Sequence, residues 1–151
     1  MRLVVQRVSR AAVRVEGRTV AEIGPGLLIL VGVGNEAAPE EISRLAAKVV
    51  NLRIFEDDAG KMNRSLLDIG GEALVVPQFT LYGDVRRGRR PSWADAAPPD
   101  VAAEVVDRFA RDLEAAGARV RQGAFQEHME VELVNDGPVT MFLEGPRKML
   151  L

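Results

Sequence analysis

The sequence predicts an α+β fold: one domain spanning residues 1–151, with a mostly antiparallel sheet or barrel and two covering helices. Three observations carry that expectation. Apolar and polar residues alternate near the amino terminus, the period of a half-buried strand. Two later segments switch to the three- and four-residue spacing of an amphipathic helix. No linker, repeat or low-complexity tract divides the chain, and 151 residues are enough to bury one core.

Taken in order, "RLVVQRVSRAAVRVEGRTVAEIGPG" alternates on both sides of Glu16-Gly17 and reads as a β-meander. "GLLILVGVG" holds the longest apolar stretch, Leu27 to Val33, and reads as a buried strand. In "NEAAPEEISRLAAKVVNLRIF" the residues Ile42, Leu45, Ala46, Val49 and Leu52 follow helical spacing, with Pro39 and two glutamates favouring the start. "DDAGKMN" is a turn. "EALVVPQFTLYGD" is a further strand, interrupted at Pro77, with Gln78 and Thr80 expected on the side of Leu74 and Val76. "APPDVAAEVVDRFARDLEAAGARV" is the second helix, with Val101, Val105, Phe109 and Leu113 on one face and Gly117 as its stop. Two closing strands, "HMEVELVN" and "VTMFLEG", flank Asn135-Asp136-Gly137-Pro138, which local chemistry reads as a tight turn.

Composition excludes much chemistry. Hydrophobic residues at 47% and charged residues at 28% are those of an ordinary soluble globular protein. No run approaches a membrane span, and the amino terminus lacks the apolar core of a signal peptide, so a cytoplasmic protein is expected. With no cysteine and only His128, thiolate nucleophiles and multi-histidine metal sites are excluded. A Ser-His-Asp triad would need His128, yet no serine lies in a G-x-S-x-G elbow. The phosphate-binding and dinucleotide-binding glycine motifs are absent too. No cofactor and no metal are implied. A net charge of −2 argues against a global basic field, although "GDVRRGRRPSW" concentrates Arg86, Arg87, Arg89 and Arg90 in one loop. Such a loop is either solvated surface or a local phosphate clamp.

One further possibility is read from Pro77. Proline has no N–H, so the ladder must end or open beside it, leaving backbone N–H groups near Gln78, Phe79 and Thr80 free to face a ligand. That is one route to an oxyanion hole without a triad. An edge strand with an exposed threonine is the plainer alternative.

"PQFTLYGD" at positions 77 to 84 and "NDGPVT" at 135 to 140 resemble the two signature motifs of the D-aminoacyl-tRNA deacylases (D-tyrosyl-tRNA deacylases) of bacterial type. The resemblance covers essentially the whole chain. "QRVSRAAVRVEG", "GPGLLILVGV", "LRIFEDDAGKMNRSLLDIGGEALVV", "RRGRRPSWADAAPP" and "HMEVELVNDGPVTMFLE" follow the family pattern in order. It implies hydrolysis of the ester joining a D-amino acid, or glycine mischarged on alanine tRNA, to the terminal adenosine of tRNA. It also implies a homodimer in which the glycine–proline pair of one subunit enters the pocket of the other. In the family that peptide bond is cis and its carbonyls wall off an L side chain, so Gly137 and Pro138 are the implied chiral selector.

The resemblance further implies that Phe79 and Thr80 offer N–H groups to the reacting carbonyl. Gln78, Met129 and Pro77 would line the pocket, and Arg86, Arg87, Arg89 and Arg90 its phosphate-facing rim. Thr80 as nucleophile lacks an adjacent base in the sequence, so water attack assisted by the ribose 2′-hydroxyl is preferred, with Thr80 positioning. One position departs from the family, which usually has Ser where Pro77 stands. A sibling family that edits L-alanine mischarged on threonine tRNA reads P-Q-A-T-L with a trans Gly-Pro; Pro77 agrees with that sibling, whereas Phe79 and "NDGPVT" agree with the D-specific family. A non-catalytic RNA-binding dimer remains the alternative from another class.

Overall fold

The computed structural model describes residues 1–145; the stretch 146–151 of the expected domain lies outside the described residues. Eight strands and three α-helices follow the order β1 (Arg2–Val15), β2 (Arg18–Ile23), β3 (Gly26–Gly32), α1 (Pro39–Asn51), β4 (Phe55–Glu56), β5 (Met62–Arg64), α2 (Leu66–Ile69), β6 (Glu72–Pro77), α3 (Pro99–Ala115), β7 (Arg119–Gln122), β8 (Glu130–Glu144). The α+β class, the opening meander, the buried strand and the two long helices stand as the sequence indicates.

The main sheet is mixed. β2, β1, β3, β6 and β7 are hydrogen-bonded neighbours in that order, and β8 pairs with the other edge of β1. Pairs involving β1 are antiparallel, whereas β3–β6 and β6–β7 are parallel. Parallel central strands are covered on both faces, which is why Ala73–Val76 are buried without alternation. Leu27, Ile29, Val31, Ala73 and Val75 face the helices and join Leu45, Val49, Phe109 and Leu113 in the larger cluster. Leu28, Leu74 and Val76 face the other way and meet Val8, Ala11, Val13, Ala21 and Ile23. The long β1 therefore begins beside β3 and ends folded over its far face, which nearly closes the sheet.

Four expectations are corrected. First, residues 130–144 form one strand rather than two strands around a turn. Both halves pair with β1 in the same antiparallel sense, so the chain never reverses. Between the Gln6–Thr140 and Val8–Asn135 pairs, Arg7 alone faces residues 136–139. This is a large bulge, four residues opposite one, for which Asn, Asp, Gly and Pro are as well suited as for a turn. Its Gly137–Pro138 peptide bond is cis.

Second, β6 ends at Pro77 and residues Phe79–Tyr82 form a 3₁₀ turn. Gln78 and Thr80 consequently do not share the strand face of Leu74 and Val76. Third, α3 buries Ala102, Val106, Phe109, Ala110 and Leu113, and Val101 is exposed. A pure four-residue spacing drifts about 40° per step around a helix, so Val101 leaves the stripe that mixed three- and four-residue steps keep. Fourth, in α1 the buried stripe closes with Val50, and Leu52 is the cap.

Short elements were not foreseen. The turn at 57–61 is the tip of a β4–β5 ladder. α2 opens with a capping box in which Ser65 and Asp68 satisfy each other's backbone N–H. β7 follows Gly117 after one residue, Ala118.

Candidate active site

The two motif segments have opposite characters, and each is anchored by an arginine of β1. Arg7 is 4% exposed. Its Nε donates to the Asp136 carbonyl at 2.8 Å and its Nη1 to the Ile54 carbonyl at 2.7 Å. From the other side, Asn135 cinches the bulge: its Oδ1 accepts from the Val139 N–H at 2.7 Å, and its Nδ2 donates to the Val139 carbonyl at 3.2 Å and to Thr140 Oγ1 at 3.0 Å. The first and last residues of "NDGPVT" thus tie the bulge at its base. Gly137 and Pro138 stay exposed at the tip, outside the β1 register, and among the described residues no side chain donates to their carbonyls. Gly137 adopts φ +146°, and a Cβ there would stand 2.8 Å from Val139 Cγ2 and 2.9 Å from Val139 N. Only glycine fits that backbone without strain.

The end of β6 offers donors instead. The Gln78 N–H completes the ladder to the Val31 carbonyl at 2.7 Å. The next two N–H groups, of Phe79 and Thr80, find no acceptor among the described residues, and Gln78 gives them no side-chain cap. They are the first N–H groups of the 3₁₀ turn, which has no preceding turn of carbonyls to receive them. Arg2 holds this turn in place. Its Nη1 donates to the Leu81 carbonyl at 2.8 Å, its guanidinium lies 4.4 Å from the centre of the Tyr82 ring, and its Nε pairs with Glu144. Burial pushes the Tyr82 hydroxyl up to about 12, so that ring stays neutral.

Thr80 is exposed, and its Oγ1 accepts from the Gln78 amide. An amide is no base, so nothing adjoining the hydroxyl activates it. His128 is exposed and takes no part in a hydrogen bond among the described residues. Met129 is half-buried near the end of β6; a Cβ at Gly123 would lie 3.1 Å from its Sδ and 3.6 Å from Val76 Cγ2. Among the described residues no group of three or more His, Cys, Asp or Glu is arranged to hold a metal.

Arg86, Arg87, Arg89 and Arg90 occupy an exposed loop closed by two backbone hydrogen bonds between Asp84 and Ser92, both 2.9 Å. Arg86 chelates Asp84, which holds that carboxyl down at about 2. Gln78, Phe79 and Thr80 are adjacent in the turn that follows β6, and the sequence reading missed Arg2 and Arg7. Their only trace was four arginines, Arg2, Arg7, Arg10 and Arg14, in a strand otherwise read for its apolar alternation.

The sheet register fixes how far apart the motifs lie. The bulge is level with Arg7, Leu27 and Ala73, while Pro77 is level with Val31 and Leu3. Three strand spacings and four residues separate them, on the order of 20 Å along the sheet. No hydrogen bond or ion pair among the described residues joins Asn135–Thr140 to Gln78–Thr80.

Known proteins resemble this chain in sequence and fold. A protein of Roseiflexus castenholzii named D-aminoacyl-tRNA deacylase is 60% identical over 145 residues, covering 96% of this chain and 92% of that one. A protein of the same name from Thermosipho africanus is 54% identical over 147 residues, covering 97% and 99%. Among solved structures, the c-Myc DNA unwinding element binding protein superposes with a TM-score of 0.91 at 39% identity, over 97% of this chain and 99% of that one. A probable eukaryotic D-amino acid tRNA deacylase shares the fold, with a TM-score of 0.79 at 20% identity over 93% and 97%. Fold and motifs together define a class of α+β proteins built on one nearly closed mixed sheet. Within that class the family described as D-Tyr-tRNA(Tyr) deacylase matches residues 4–144, and the chain belongs to it.

Proposed function

We propose that this protein hydrolyses the ester of D-aminoacyl-tRNA, and of glycyl-tRNA mischarged on alanine tRNA, in the cytoplasm as a homodimer. The observation that carries the reading is the pair of unpartnered N–H groups at Phe79 and Thr80. Preorganised donors of this kind stabilise the oxyanion of a tetrahedral intermediate. Water is the nucleophile, the ribose 2′-hydroxyl of the substrate assists it, and Thr80 and Gln78 position the ester. Met129 and Pro77 line the pocket.

The Gly137 and Pro138 carbonyls select chirality by exclusion. A wall of acceptors anchored by Arg7 has no room to yield to an L side chain, whereas a hydrogen on that face is accommodated. The separation of the two motifs within one chain supports the dimer: the bulge of one subunit completes the pocket of its partner across an isologous interface. Arg86, Arg87, Arg89 and Arg90 grip the tRNA backbone.

Release of amino acid from D-aminoacyl-tRNA and from its L counterpart, compared at one enzyme concentration, tests the reading. Hydrolysis confined to the D and glycyl substrates is expected, and an inert protein would return it to an RNA-binding dimer. Pro77 favours a second reading, editing of L-alanine on threonine tRNA; rapid release from that substrate alone would establish it.

A further inference from the structure

Seven large apolar side chains are exposed among the described residues, and three of them, Phe79, Val85 and Trp93, fall within residues 79–93. Their clustering matters more than their exposure, because isolated exposed apolar residues are ordinary. Phe79 and Trp93 are 56% and 42% exposed, and their rings meet edge to face with centroids 5.1 Å apart at 67°. The Trp93 ring is also held from below. It lies so close to Gly83 that a Cβ there would stand 2.7 Å from Cζ3 and 3.4 Å from Cη2. The Asp84–Ser92 bridge fixes the backbone next to it. The pair is therefore an ordered surface whose ring area remains open to solvent.

Cations border that surface. Arg87, Arg89 and Arg90 are exposed, and among the described residues only Arg86 of this loop is ion-paired. We propose that the Phe79–Trp93 pair and the arginine loop form a platform on which an unpaired nucleotide of a single-stranded RNA end stacks, immediately upstream of the nucleoside that carries the ester. This rests on the function proposed above. It adds a base-stacking subsite and assigns Trp93 to it.

The chemistry favours RNA over a protein partner. Every base presents a π-face, so an ordered aromatic pair accepts it irrespective of sequence. Guanidinium groups at the rim meet the phosphates that join successive nucleotides. Phe79 belongs both to the platform and to the donor pair, so a chain stacked on the rings passes directly to the reacting ester. The partner subunit of the proposed dimer reaches the Phe79 and Thr80 donors with its bulge; a second copy docked symmetrically over the arginine loop itself would bring two arginine sets together.

Trp93 is the only tryptophan, so its emission reports the platform directly. Titration of the unaltered protein with the RNA trinucleotide CCA should quench that emission saturably, while adenosine alone or inorganic phosphate should not. Binding should weaken with salt, at a log–log slope of about −0.7 for each phosphate contact. By anisotropy of labelled CCA, Trp93→Ala should bind roughly 5- to 100-fold more weakly, and Trp93→Phe should recover most of the loss.

No quenching by CCA overturns the proposal, and equal quenching by phosphate reduces the site to an anion-binding loop. An emission change that follows protein concentration and ignores RNA assigns the surface to a second copy of the chain. Hydrolysis of D-aminoacyl-tRNA, measured in parallel, keeps the two readings apart. Hydrolysis without a CCA response removes the platform alone, and a CCA response without hydrolysis removes the enzyme reading and leaves the platform.

Discussion

The bulge at Asn135–Thr140 and the turn at Gln78–Tyr82 are anchored to the same strand, β1, and end up as electrical opposites. Arg7 and Asn135 satisfy the base of the bulge and leave carbonyls at its tip. Arg2 satisfies the far side of the turn and leaves N–H groups at its start. Acceptors suit a wall, because nothing on an aminoacyl ester compensates a carbonyl pressed against a carbon side chain. Donors suit the place where negative charge develops. One β-strand thus holds two complementary half-sites too far apart to meet in one subunit.

The largest expected effect comes from removing the anchor of the bulge. Arg7→Met orphans the buried acceptor Ile54 O, worth about 1–3 kcal/mol, and releases the part-buried Asp136 O. The urea midpoint should fall by a corresponding amount, together with preference for the D substrate. Unchanged stability would show that the bulge holds its shape without β1. Gly137→Ala comes next. Its Cβ meets Val139 while φ remains at +146°, and a displacement of about 1 Å at a reacting centre costs roughly 100-fold. Single-turnover hydrolysis reads this loss, and a rate within a few-fold of the unaltered protein would free the bulge from any role in catalysis.

Thr80→Ala sharpens the other side of the comparison. If backbone donors dominate, the rate should fall by less than about 10-fold, against the roughly million-fold cost of deleting a true nucleophile. A loss near the larger figure would make the turn a nucleophile site rather than a donor pair. Neutralising Arg87, Arg89 and Arg90 together should leave hydrolysis at saturating tRNA nearly intact and flatten the salt dependence of binding, by about 0.7 to 0.9 for each lost phosphate contact.

The smallest effect concerns pH. Because the hydrogen bond from Arg86 holds Asp84 at about 2, below its ordinary value, the contribution of this pair is present above the ordinary carboxylate pKa and lost as pH falls through about 2. Trp93 emission should therefore be flat between pH 5 and 8. A titration in that range would assign the loop to another group.

The comparison also separates what could be read from the sequence from what could not. Alternation showed the β1–β2 meander, and Pro77 marked the place where the ladder stops, both of which are local signals. "NDGPVT" was indistinguishable from a turn because the same residues relieve the same backbone demands in a bulge. Only its pairing with β1, more than 120 residues earlier, tells them apart. Arg7 was unreadable for a related reason: its partners are carbonyls, and every residue carries one. Val101 shows the limit of periodicity, since its spacing is helical while its face is wrong.

β1 has one further consequence, for the order in which the chain is assembled. Its 14 residues pair with β3 and β2 along one edge, and those partners are complete by residue 32. Its other edge waits for β8, whose first residue is Glu130. During synthesis at about 5–20 residues per second, that edge stands open for roughly 5 to 20 seconds. It is long, apolar on alternate positions and ready to pair with any extended strand. The charges on it, Arg2, Arg7, Arg10 and Arg14, later meet Glu144, Asp136 and Glu132. In the nascent chain they are like charges on an unfinished edge. The residues that will organise the site therefore first act as gatekeepers, repelling copies of the same strand until the last one arrives.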